Sequence, residues 1–241
     1  MADFNYNRDY KATTYNKDGV VEVSEKTLIK NVYLWMCGAL VVTALTGLYV
    51  SSNYSIQQVL FGNPLIFYGL LIGEVVLVIA LSAAINKISA TTATLMFLLY
   101  SVINGATLSS IFLLYTQASI ATTFFVTAGT FGVMAVYGSI TNTDLTKVGN
   151  ICLMALIGII IATVVNIFLK NDTMDLIISV IGIIVFVALT AYDAQKIKEM
   201  LLNADVNDTT QKLAVLGALS LYLDFVNLFL YLLRFLGNRR N

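Results

Sequence analysis

The chain has 241 residues, 58% of them hydrophobic and 12% charged, and its formal net charge is zero. Ordinary soluble domains carry roughly a quarter charged residues, and one soluble core of this size cannot hide so much apolar side chain. The absence of histidine excludes Ser-His nucleophilic catalysis, His-ligated zinc or haem and the usual near-neutral pH sensor, and the balanced charge gives no reason to expect a nucleic-acid partner.

Residues 1–26 are polar and lack both an apolar core pattern and the basic-then-apolar order of a cleavable signal. They read as a disordered cytoplasmic tail, with the first spanning helix as the targeting signal. A transmembrane helix needs about 20 mostly apolar residues, and segments near 31–50, 64–85, 93–115, 119–140, 149–169, 175–193 and 212–235 qualify. The gaps between them carry turn and cap residues such as Ser51-Ser52-Asn53, Asn86-Lys87, Thr141-Asn142-Thr143-Asp144 and Asn171-Asp172-Thr173. No linker interrupts the alternation. The expected fold is an all-α integral membrane protein with seven transmembrane helices, a single domain over 27–237, and a short tail at 238–241.

Short cytoplasmic loops are enriched in Lys and Arg. Arg8, Lys11, Lys17, Lys26 and Lys30 place the amino terminus in the cytoplasm, and Lys87, Lys147, Lys196, Lys198 and Lys212 follow the same side. Arg234, Arg239 and Arg240 then fall on the opposite side, as the exception. Pro64, the single proline, opens the second span, where a helix tolerates it. Cys37 and Cys152 lie in apolar runs and read as packing groups.

Three acids fall inside apolar runs: Glu74, Asp193 and Asp224. A charge at mid-membrane costs ~2.5–3.5 kcal/mol on insertion scales, so such residues default to function. Gly217, Ser220, Asp224, Asn227, Tyr231 and Arg234 recur at helical spacing as one polar seam on an otherwise apolar last span. A helix of that kind belongs at the centre of the bundle, with the seam turned to a cavity or to other polar side chains. Asp193 either caps the end of the sixth span or turns inward towards Asp224. In the second case the two carboxyls cannot both ionise cheaply and would share one proton. Asn104 with Thr107, Thr163 with Asn166, and the small pairs Gly105/Ser109, Ala128/Gly132 and Gly158/Ala162 read as helix–helix packing elements.

The stretch Ala218-Leu-Ser-Leu-Tyr-Leu-Asp224-Phe-Val-Asn-Leu-Phe-Leu with Leu233-Arg234 resembles the last-helix signature of the Bax inhibitor (YccA-like) family. Tyr192-Asp193, Gln195 and Lys196-Ile197 resemble the end of that family's sixth helix, and agreement runs through Glu74, Asn86-Lys87-Ile88-Ser89, Asn104-Gly105 and Asp144-Leu145. The resemblance implies seven helices with the last one central and wrapped by the other six. It implies a Ca²⁺-permeable leak that changes with pH, the carboxyls of Asp193 and Asp224 forming its latch. Glu74, with Asp224, Asn227 and Ser220, would line the ion pathway. An arginine cluster found in some members at the cytoplasmic end of the second helix here reads Ile85-Asn86-Lys87, which leaves Lys87 as the candidate latch cation. The stretch around Asn203, Asp205, Asn207 and Asp208 looks longer than in compact members.

Ca²⁺ favours oxygen ligands, so Asp193 and Asp224 are the expected metal-contacting groups, with Ca²⁺ a permeant or weakly held ion and no resident cofactor. The expected partners are the bilayer, Ca²⁺, protons and membrane proteins, and the expected location is a bacterial inner membrane, with an internal eukaryotic membrane as the second choice. An aspartyl intramembrane protease also pairs a Tyr-Asp with a second Asp. Here, however, the second acid follows Leu221-Tyr222-Leu223 instead of Gly-x-Gly, and Pro64 is followed by Leu65 without the Pro-Ala-Leu element. A retinal protein needs a lysine in its last span, and none lies between Lys212 and Arg234. The remaining alternative is a non-conducting membrane interaction protein.

Overall fold

A computed structural model describes residues 12–16, 19–23, 25–202 and 208–240. A hairpin of β1 (Ala12–Asn16) and β2 (Gly19–Val23) precedes eight helices: α1 (Glu25–Ser52), α2 (Tyr54–Gly62), α3 (Pro64–Ala84), α4 (Ala90–Leu114), α5 (Gln117–Ile140), α6 (Thr146–Leu169), α7 (Asp172–Leu202) and α8 (Asp208–Leu236). All except α2 are long and apolar enough to cross a membrane, giving the seven spans expected from hydropathy. Local chemistry sets their starts. Asn53, Asn63, Ser89 and Thr116 each accept a hydrogen bond from a backbone N–H of the following turn, at α2, α3, α4 and α5 respectively. Pro64 occupies the first turn of α3, where its missing N–H costs nothing.

Helix α8 is the axis of the bundle: 67% of its most apolar stretch is buried, against 11% for α3 and for α6, which are therefore the outer spans. It packs chiefly on α1, α4, α5 and α7, while α3 leans mainly on α4 and α6 on α7. The last helix is central as expected, with four helices packed closely on it and α3 and α6 further out. The outer spans keep apolar faces turned outward, as Ile72, Val75, Ile79, Ile157, Ile160 and Ile161 show by their exposure. Such faces are stable only against lipid, in keeping with the high mean hydropathy of these spans, 2.4 for α3 and 2.7 for α6.

Two boundaries differ from the sequence reading. The chain between the first two spans forms α2, whose polar residues Ser55, Gln57 and Gln58 had masked its helical character. The sixth span does not end at Asp193 but runs on to Leu202, nine residues and about 14 Å further. Of the amino-terminal tail, residues 12–16 and 19–23 pair antiparallel, Thr14 opposite Val21 and Tyr15 opposite Val20. Their β-branched and aromatic side chains favour a pleated strand, a pattern that a search for core residues alone overlooks. The rest of 1–24, and residues 203–207 in the gap before α8, lie outside the described residues.

Seven spans put the two chain ends on opposite faces, so the exceptional arginines sit at the far end, and there they have partners. Arg234 Nη1 lies 3.1 Å from Asp175 Oδ1. Arg240 donates from Nη1 to Phe112 O (3.3 Å) and from its backbone N to Leu114 O (2.8 Å), satisfying carbonyls at the end of α4. The segment 238–240 is thus docked onto the α4–α5 turn. Both members of the Arg234–Asp175 pair are about a third exposed, so Arg234→Ala is expected to lower stability by no more than about 1 kcal/mol. Thermal unfolding in detergent measures it.

Candidate functional site

The polar seam of α8 faces α7 in antiparallel register. Gly217 lies against Ile197, Ser220 bonds to Asp193, Tyr231 stacks on Phe186 with ring centroids 5.8 Å apart, and Arg234 meets Asp175. The seam is therefore an α7–α8 interface, not the wall of an open channel. At its middle Asp193 on α7 and Asp224 on α8 are neighbours across the helix contact, each within the electrostatic reach of the other. The alternative in which Asp193 caps a helix end is excluded. Ser220 Oγ donates to Asp193 Oδ2 at 2.5 Å, whereas Asp224 is 5% exposed and its Oδ2 has no protein partner. Two neighbouring buried carboxylates repel, and one proton shared between them would relieve the repulsion. Asn227 takes no part in it. Its amide donates to Leu223 O of its own helix at 2.8 Å.

A cleft of about 250 Å³ between α3, α7 and α8 leads to this pair, lined by Val78, Ser82, Asp193, Lys196, Ile197, Met200, Leu216, Gly217, Leu219, Ser220 and Leu223. It lies towards the bundle end where α3 and α7 finish and α8 begins, the end that carries the amino terminus. Beyond Asp224, Phe225, Val226 and Phe229 of α8 line a small apolar cavity of about 110 Å³ with Leu40, Ile111, Phe112 and Phe124.

Lys87 does not reach the pair. It is exposed in the turn after α3 and forms no ion pair among the described residues. The cation in the cleft is Lys196, one turn beyond Asp193 on α7, whose charge acts on Asp193 and whose Nζ sits 5.5 Å from the Tyr192 ring centroid. The i, i+3 spacing of Asp193 and Lys196 was the available signal. Gln195 fixes the rotation of α7 at this point: its Nε2 donates to Thr143 O and its Oε1 accepts from Leu145 N, both at 2.9 Å. In the same turn, hydrogen bonds from the Thr146 hydroxyl and backbone hold Asp144 below the usual carboxylate range.

Glu74 belongs to a different network. It is 8% exposed, and its two oxygens accept from Asn104 Nδ2 (3.1 Å) and Thr107 Oγ1 (2.6 Å). Asn104 and Thr107, read from the sequence as packing elements, are its direct partners. Asn104 Oδ1 in turn accepts from the Tyr222 hydroxyl at 2.8 Å, and Tyr222 is 2.7 Å from Thr43 Oγ1. Tyr222, fully buried with Phe97 and Tyr100 edge-on to its ring, is the site residue that sequence reasoning missed. An apolar-flanked tyrosine carries no periodic signal of its own. Glu74 lies one turn before Val78 and two before Ser82 on α3, and those two, but not Glu74, line the cleft.

Of the small-residue pairs, Gly105 makes the expected close approach, with the α1 backbone at Thr43 beside it. Gly132 and Gly158 face open space and are not packing contacts within the bundle. Among the described residues no cluster of three or more metal-ligating side chains occurs. Any cation at the pair would be held by two carboxyls and hydroxyl or backbone oxygens alone, which suits weak binding of a hard ion.

Residues 25–241 match the family described as inhibitor of apoptosis-promoting Bax1. The chain is similar to the inner membrane protein YbhL of Escherichia coli K12, with 50% identity over 217 residues covering 89% of this chain and 93% of YbhL. An uncharacterized protein of Borreliella burgdorferi is 46% identical over 228 residues, 92% of this chain and 98% of its own length. An uncharacterized membrane protein of Streptococcus pyogenes serotype M1 is 39% identical over 182 residues, covering 75% and 78%.

Proposed function

The chain belongs to the Bax inhibitor-1 family of multi-pass membrane proteins, and on that premise we propose that it is a pH-sensitive Ca²⁺ leak of a bacterial inner membrane, latched by Asp193 and Asp224. The observation that carries the reading is a buried, partly unpartnered Asp224 beside a Ser220-bonded Asp193 at the inner end of a cleft between α7 and α8, and the apolar side chains Phe225, Val226 and Phe229 beyond it would be the seal. With one proton the pair ties the two helices together. With none, two like charges in a low-dielectric setting repel and favour separation of α7 from α8, and they also attract a divalent cation. Separation of this kind would part the side chains of the seal, in line with hydrophobic constrictions that gate by dewetting. The amino terminus is assigned to the cytoplasm on the Lys/Arg bias, which makes the cleft the cytoplasmic mouth.

Purified protein in liposomes loaded with a Ca²⁺ dye tests this from about pH 5 to about pH 8. Flux that exceeds protein-free liposomes and changes with pH is expected. Flux equal to the protein-free control, or indifferent to pH and to both Asp193→Asn and Asp224→Asn, would overturn the leak and leave a non-conducting interaction protein. In the same assay Lys196→Met is expected to displace the pH midpoint by a few tenths of a unit to about one unit, as loss of a partly screened charge should. Lys87→Met is expected to leave it in place.

A further inference from the structure

We propose that Tyr222 couples the protonation state of Glu74 to helix α8 through a hydrogen-bond chain, Glu74–Asn104–Tyr222–Thr43, that reverses its direction when Glu74 gains or loses a proton. The inference does not depend on ion conduction. The chain crosses four helices: Glu74 on α3, Asn104 on α4, Tyr222 on α8 and Thr43 on α1, each less than a tenth exposed. As arranged, the bonds given by Tyr222 and Asn104 point towards Glu74, and the single Thr43 proton is shared between Tyr222 and Ser101 O as alternatives. The Tyr222 hydroxyl donates to Asn104 Oδ1, and Asn104 Nδ2 donates to Glu74 Oε2. Thr43 Oγ1 is within reach of both Tyr222 and Ser101 O, at 2.7 and 3.0 Å. This is the pattern a carboxylate requires, since it only accepts.

A proton on Glu74 Oε2 turns that oxygen into a donor and opposes it to the Asn104 amide. A half-turn of the amide resolves the conflict. Glu74 then donates to Asn104 Oδ1, Asn104 Nδ2 donates to the Tyr222 oxygen, Tyr222 donates to Thr43 Oγ1, and Thr43, which gave its proton to Tyr222 in the charged arrangement, gives it to Ser101 O. Both arrangements satisfy every group, which is what a buried polar network needs to exist in two states. No proton travels along the chain; one amide turns over and hydroxyls rotate. Of the titratable groups, Tyr100 on α4 and Tyr222 on α8 face Glu74, and the neighbouring helices α2 and α4 contain no acid or base. Asp224 lies about 200° around α8 from Tyr222, so α8 carries this chain on one side and the carboxyl pair on the other.

The test is infrared difference spectroscopy of the full chain in lipid nanodiscs, titrated with pH, following the protonated-carboxyl stretch of Glu74 identified by its loss in Glu74→Gln. Thr43→Val leaves the buried Tyr222 proton without an acceptor in the neutral arrangement, whereas in the charged one that proton stays on Asn104 and only a bond accepted by Tyr222 is lost. The Glu74 band should therefore vanish at lower pH, by on the order of half a unit to one unit, the size of one net hydrogen bond. Thr43→Ser keeps the oxygen and should titrate as wild type. In a Tyr222→Phe background, Thr43→Val should move nothing. A Thr43→Val band that titrates with the wild type, a shift that survives in the Tyr222→Phe background, or a Glu74 band that does not titrate at all overturns the proposal. If the tyrosine variant fails to fold, the valine and serine variants decide alone.

Discussion

Asp224→Asn should hold Ca²⁺ flux near its minimum at every pH, on the order of ten-fold below the wild-type maximum, a typical size for a conformational coupling. The reason lies in the proton count of the pair. Asp224 is buried, with one oxygen unpartnered, and Asp193 already accepts from Ser220. An asparagine at 224 presents a permanent N–H to Asp193, copying the singly protonated clasp without a proton that can leave. The α7–α8 contact then persists, and with it the seal at Phe225 and Phe229. Asp224→Ala removes the clasp without supplying a donor, and should raise flux and flatten its pH dependence. Dye-loaded proteoliposomes resolve the two. Equal flux in both variants would show that the carboxyl pair does not latch the helices, even if the protein conducts.

The largest stability effect is expected at Gly138, at the crossing of α5 and α7. A Cβ there would stand 2.7 Å from the Ala191 carbonyl carbon and 2.9 Å from its Cα, two residues before Asp193. The clash is with backbone, so no side-chain rotation relieves it and the helices must part. Gly138→Ala should cost about 3 kcal/mol, the upper end of overpacking penalties, and lower the thermal midpoint accordingly. Gly132→Ala on the same helix meets nothing within 4 Å. There the better helix propensity of alanine should leave stability unchanged or raise it by about 0.5–1 kcal/mol. Similar losses at both positions would refute a tight α5–α7 crossing beside the latch.

The sequence by itself determined the number of spans and the identity of the central helix. Both follow from one-dimensional quantities: twenty-residue apolar runs for Pro64–Ala84 or Thr146–Leu169, and a polar seam at helical spacing through Ser220, Asp224 and Tyr231. The intramembrane acids were equally legible, because a carboxyl among leucines is conspicuous wherever the chain goes. Tertiary structure alone decided what those acids touch. Asp193 lay nine residues inside α7 because the polar turns after it, Lys196 to Met200, continue the helix beyond the apolar run. The cation beside the pair proved to be Lys196, since the cleft opens between α7 and α8 and Lys87 projects from the end of α3. Glu74 and Tyr222 are 148 residues apart, and their connection through Asn104 depends on how α3, α4 and α8 are rotated about their own axes. Rotation is set by close packing at points such as Gly105 and Gly138. No periodicity within a single helix records it, which is why the sequence located the buried acids but not the two separate networks they form.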